Sequence, residues 1–141
     1  AMTNWTEAVE DLAKLGYIPK HCVENVRWYE RFSQLIGNTD RHFGNLAFFA
    51  RGLAVEDLAP AYDVLPMIFM PRANQIFEQE LKVPIPSAAD AKVWASAVDT
   101  AVSFWSRVMA DQRISAEFRA VAAGCRQAVE RARGFAQHLP V

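Results

Sequence analysis

The sequence predicts a mostly α-helical fold with one short β-hairpin set between two helical blocks. Three observations carry that reading. Apolar residues recur at three- and four-residue spacing in the first third of the chain and again in the last third. Between them, an apolar run at residues 46–50 is broken by Arg51-Gly52 and followed by a second short run at 53–59. Five prolines then punctuate the stretch from Pro60 to Pro86, which excludes long helices there.

Taken in order, Thr3 or Asn4 caps a first helix whose apolar face is Trp5, Ala8, Val9, Leu12 and Leu15, with Gly16 as its stop. After Pro19 a second helix carries Cys22, Val26, Tyr29, Phe32, Leu35 and Ile36 on one side and ends at Gly37. Asn38-Thr39-Asp40 opens a polar turn, and the hairpin follows. A short helix fits around residues 75–81. Ser87-Ala88-Ala89-Asp90 matches a capping box with Asp in the usual Glu position, ahead of an Ala-rich helix to Ala110. Trp94, Ala97, Val98, Ala101, Phe104, Trp105 and Val108 form its buried face. Ser115 caps a last helix with Phe118, Val121, Ala122, Cys125, Ala128 and Val129 inward, and Arg131 and Arg133 near its end complement the dipole.

Length and composition narrow the class. The 141 residues suit one domain, expected to span residues 1–141, and 52% of them are hydrophobic, including nine Phe, four Trp and three Tyr. Such a chain buries enough apolar surface to offset its conformational entropy, which excludes a disordered protein. Lys and Arg number 15 against 16 Asp and Glu, so no global field draws the chain to nucleic acid or to an anionic membrane. The two cysteines, Cys22 and Cys125, are far apart and outside any C-x-x-C pair, which argues against a disulfide framework or a structural zinc site. No apolar run has the length of a membrane span, and the expectation is a cytoplasmic protein with reduced thiols. Ala1 ahead of Met2 reads as a cloning remnant.

The chemistry concentrates in Ile36-Gly37-Asn38-Thr39-Asp40-Arg41-His42-Phe43-Gly44-Asn45 and in Leu58-Ala59-Pro60-Ala61-Tyr62-Asp63-Val64. Asp40 and Asn45 have the D-x-x-x-x-N spacing of a kinase catalytic loop. The spacing serves a purpose: the Asp orients an attacking hydroxyl and accepts its proton, while the Asn on the same tight loop faces a metal ion held on the phosphates. A second metal-binding carboxylate has to arrive from the end of a short hairpin, and Asp63 stands there. Helix, loop, hairpin and metal-binding Asp follow in the order of a kinase C-terminal lobe.

Gly-Asn-Thr-Asp-Arg-His-Phe-Gly-Asn, with Leu-Ala-Pro-Ala-Tyr-Asp-Val downstream, resembles the HipA-like family of serine/threonine kinases from bacterial toxin–antitoxin systems. There an N-x-D-x-H-x-x-N loop stands in place of H-R-D, and P-x-Y-D in place of D-F-G. The specific likeness covers about residues 25–70. It implies a kinase C-lobe-like helical domain with Asp40 as catalytic base, Asn45 and Asp63 as magnesium ligands, and Asn38 and His42 supporting the loop. It also implies Mg2+ and ATP as cofactors. The expected partners are a protein substrate and an antitoxin or a separate N-terminal lobe. Nothing in the chain resembles a Gly-rich phosphate loop or a strand lysine, so the ATP-gripping lobe is expected to be absent and the chain inactive alone.

Plainer readings stand beside these. Asn38 and Asp40 suit a turn after a stopped helix, and Asp63 suits a cap. Phe43, Phe48, Phe49 and Tyr62 read as core around the loop, like Trp94 and Trp105 on the later helix. Cys125 reads as a small buried apolar residue, and Arg126, Arg131 and Arg133 as a solvated face. A catalytically inactive helical interaction module derived from such a kinase is the alternative function. A metal-dependent phosphohydrolase built on Asp40, His42 and Asp63 is a third.

Overall fold

The computed structural model describes residues 4–73 and 79–139. Four α-helices form among them: α1 (Trp5–Lys14), α2 (Lys20–Leu35), α3 (Trp94–Ala110) and α4 (Ala116–Arg133). Between α2 and α3 lies one antiparallel hairpin of β1 (Phe48–Arg51) and β2 (Ala54–Leu58), with a bulge between Phe49 and Ala50. The fold is therefore mostly helical with one short hairpin, as the sequence predicts. Part of the short helix anticipated at residues 75–81 lies outside the described residues, and residues 79–81 are not helical.

The caps follow sequence logic. Asn4 accepts a hydrogen bond from the Glu7 N–H (2.9 Å), and Ser115 accepts one from the Phe118 N–H (3.2 Å). The capping box at Ser87 is also present, the Ser87 N–H donating to the Asp90 carboxylate (2.8 Å). Yet it opens a single 3-10 turn (Ala88–Asp90), and α3 begins only at Trp94. The other Asp90 oxygen explains the delay. It accepts from Arg31 Nε (2.9 Å) on α2 and lies 3.7 Å from Arg27, so the turn is docked against α2 before the helix starts.

Helix α2 separates two apolar clusters. On one side Trp5, Val9, Ile18, Cys22, Val26 and Tyr29 pack together, and Phe48, Val55 and Leu58 of the hairpin lean on them. On the other, Leu35 and Ile36 join the buried face of α3 (Trp94, Ala97, Val98, Ala101, Trp105) and of α4 (Ala122, Cys125, Val129, Ala132). Trp28 and Val64 touch both clusters. Phe104 and Val108, expected on the buried face of α3, are only partly covered. Arg126, Arg131 and Arg133 are exposed, and Arg133 pairs with Asp99 (2.5 Å) and Glu130 (3.1 Å). Both cysteines are free and buried, and burial pushes the Cys125 thiol up to about 11. Among the described residues, no helix is long and apolar enough to cross a membrane.

Candidate functional site

The loop at residues 37–45 begins as the stop of α2. Gly37 adopts φ +76°, its N–H bonds the Gln34 carbonyl (3.1 Å), and the Asn38 N–H reaches back to Ser33 (2.8 Å). These two bonds make a Schellman stop, so the helix end itself fixes where Asn38 sits. Glycine is required at 37 twice over. The left-handed φ disfavours any side chain, and a Cβ would come within 2.6 Å of Ile68 on the turn Met67–Phe69.

Asn38 is fully buried and braces the loop from within. Its Oδ1 accepts from the Asp40 N–H (3.1 Å), an Asx-turn, and its carbonyl accepts from the Arg41 guanidinium. Asn45, also buried, donates from Nδ2 to the Asp40 carbonyl (3.0 Å). The Asn45 amide has one further polar atom, Oδ1, the hard oxygen that magnesium prefers. The Asn45 side chain and the Asp40 backbone are thus joined across the loop.

His42 holds the loop through its backbone and, among the described residues, not through ring hydrogen bonds. Its carbonyl accepts from the Trp5 indole N–H (3.1 Å) on α1 and from the Asn45 N–H (3.0 Å). Its ring lies so close to Gly44 that a Cβ there would approach it to 2.8 Å. Nε2 lies 3.7 Å from the Asp40 carboxylate, with the two side chains 59% and 45% exposed. An exposed carboxylate beside an imidazole is reachable by a substrate hydroxyl, the first geometric demand on a general base.

Asp63 is exposed and holds φ +53°, a left-handed conformation that Asp tolerates better than most residues. It is therefore no helix cap. Its neighbour Tyr62 donates from its hydroxyl to the Gly44 carbonyl (2.5 Å), and the Tyr62 carbonyl accepts from the Tyr29 hydroxyl (3.4 Å). Burial holds the Tyr29 phenol above its ordinary value, and the nearby Tyr62 and Asp63 charges add to that effect. Asn45 and Asp63 each directly follow one partner of the Tyr62–Gly44 bond, so this clip ties together the two segments that carry them.

The core reading of the loop aromatics needs correction. Phe43, Phe49 and Tyr62 are exposed, and of that group only Phe48 packs against a core cluster. Tyr62 is a clip because its hydroxyl finds a carbonyl on a loop 18 residues away, a partner that local spacing does not reveal. Trp5 is likewise more than an apolar face of α1. A buried indole N–H needs an acceptor, which is the one sequence signal that points to a long-range bond. Behind the loop, the buried Glu30 carboxylate accepts from Thr6, tying α2 to α1.

Beside the loop opens a cleft of about 430 Å³ whose lining includes Gly37, Thr39, Arg41, Arg72 and Lys82. Its described lining holds three cations and no carboxylate, a composition suited to an anion. Burial pushes the Arg41 guanidinium below its ordinary value, Glu30 raises it again and Arg31 lowers it.

The site is thus a helix stop that runs into a braced D-x-x-x-x-N loop, clipped by Tyr62 to the segment that follows the hairpin and carries Asp63, within a mostly helical domain. The HipA-like C-terminal domain family matches residues 4–132, and this chain belongs to that family. Toxin YjjJ of Escherichia coli (strain K12) is 31% identical to it over 120 residues, covering 84% of this chain and 27% of that protein. The chain thus spans about a quarter of that relative's length. No solved structure matches the chain.

Proposed function

We propose that this chain is the C-terminal lobe of a HipA-like protein serine/threonine kinase, with residues 1–141 forming one such domain. The observation that carries the reading is the Tyr62–Gly44 hydrogen bond, which ties the segment bearing Asp63 to the loop bearing Asp40 and Asn45. Asp40 takes the proton from a serine or threonine hydroxyl as that oxygen bonds the γ-phosphorus of ATP and the bond to the ADP oxygen breaks. Asn45 Oδ1 and the Asp63 carboxylate suit magnesium, which takes one or two protein oxygens and completes its shell with phosphate and water. Bound there, magnesium would neutralise phosphate charge as the γ-phosphoryl group moves. Asn38, His42 and Trp5 keep the loop in one shape, so little reorganisation is left for the reaction. The cleft with Arg41, Arg72 and Lys82 suits a phosphate or an acidic segment of the acceptor.

The grip on adenine and the outer phosphates comes from a lobe outside this chain, so the chain alone has little or no turnover. The name of the toxin relative supports a toxin context for this chain; an antitoxin partner and a cytoplasmic location belong to the same proposal. Calorimetric titration with magnesium and ATP tests the reading, on this chain and on Asp63→Ala. Weak magnesium-dependent binding that disappears in Asp63→Ala is expected. Absence of binding in both chains favours the inactive interaction module instead.

A further inference from the structure

Away from the catalytic loop, the first turn of α2 meets the outgoing strand of the hairpin. His21 and Cys22 come from α2 and Asp57 from β2, and their ligand atoms all lie within 4.8 Å of one another. His21 Nε2 is already 3.2 Å from Asp57 Oδ1. Cys22 is fully buried, whereas the His21 and Asp57 side chains are 57% and 56% exposed, so an ion has a path in from solvent. Burial and then the Asp57 charge push the Cys22 thiol up, while a bond from the Leu58 backbone N–H to its sulfur works the other way. The same N–H donates to Asp57 Oδ1 (2.8 Å), so one backbone donor sits between the two side chains.

We infer that His21, Cys22 and Asp57 form a site for a borderline-soft divalent cation of the zinc class. The donor set selects the ion: an imidazole, a thiolate and a carboxylate suit zinc, while magnesium and calcium take oxygens alone. Zinc bonds to sulfur and nitrogen place those two atoms about 3.5 Å apart in a tetrahedron. The His21–Asp57 pair at 3.2 Å already meets such a span, so only a side nearer the 4.8 Å limit has to close on binding. Binding displaces the thiol proton to solvent, and water fills the fourth position. No spacing in the sequence announces the site, because the third ligand lies 36 residues beyond His21 and arrives only when the hairpin folds. Its effect is to strap β2 to α2, six positions ahead of Asp63.

The test is a titration of this chain, stripped with chelator, with cobalt(II). A single equivalent giving a sulfur-to-cobalt charge-transfer band, bleached by zinc, is the expected result, with a zinc-dependent rise in melting temperature. Cys22→Ser abolishes the band. His21→Ala and Asp57→Ala, both at exposed positions and each checked for an unchanged circular-dichroism spectrum, weaken cobalt binding by at least about tenfold. Asp63→Ala leaves the band intact, which separates this site from the proposed magnesium site. No band in the unaltered chain, a band that survives Cys22→Ser, or affinities unchanged in both His21→Ala and Asp57→Ala would overturn the inference.

Discussion

The α3–α4 pair and the loop–hairpin segment are held by different forces. The helical pair closes over fully buried Trp94 and Trp105, with Trp105 edge-on to Phe69 (6.1 Å) and Phe104 (5.0 Å). Even its polar atoms are settled inside, Trp94 donating to Ala132 (2.9 Å) and Trp105 to Leu35 (3.1 Å). The loop leaves Asp40, His42, Phe43 and Asp63 at least partly open to solvent and keeps its shape by hydrogen bonds from Trp5, Asn38, Asn45 and Tyr62. Apolar burial is non-directional and supplies stability, whereas directional bonds supply shape at little gain in stability. A site that must admit a substrate has to use the second kind.

The largest expected effect of breaking the comparison is on the buried side. Trp105→Ala should destabilise the chain by about 3–5 kcal/mol, read from urea unfolding, since it removes a large side chain and leaves the Leu35 carbonyl without its donor. A loss below about 1 kcal/mol would mean that the helical pair repacks freely. Acid comes next. Burial raises the Asp90 carboxyl, but hydrogen bonds from Arg31 and from Ser87, with the Arg31 charge, outweigh it and hold Asp90 below its ordinary value. A depressed carboxyl stabilises the fold fully above the unfolded value of about 3.9, and that stability is lost as pH falls through the lower folded value. Unfolding free energies measured across that window should fall with pH in the unaltered chain and run flatter in Asp90→Asn. Tyr62→Phe sharpens the contrast from the other side. It should cost about 1 kcal/mol or less in urea unfolding, because the hydroxyl is at the surface, yet weaken magnesium–ATP binding roughly fivefold. An equal loss in both measurements would make Tyr62 an ordinary structural residue.

The same division governs what could be read from the sequence. Trp94, Ala97, Val98, Ala101 and Trp105 announce themselves by period, because burial on a helix repeats every three or four residues. Asn4, Ser87 and Ser115 are legible as caps, since capping is local. The delayed start of α3 is hidden, as it depends on Arg31, 59 residues before Asp90. Asp40, Asn45 and Asp63 stand out as candidates by type, spacing and order, and their proposed roles rest on that pattern. The clips that shape their loop are not, because Trp5 and Tyr62 look apolar in the sequence and act through a single N–H or O–H across long separations.

The central claim is that the loop and the Asp63 segment form one metal-binding unit. Manganese(II) in place of magnesium, added with ATP to isotopically labelled chain, tests it through paramagnetic broadening in nuclear magnetic resonance spectra. The account predicts that the Asn45 side-chain amide and the Asp63 backbone amide broaden together, and that both stay sharp in Asp63→Ala. Broadening of one without the other, or broadening that survives Asp63→Ala, would contradict it.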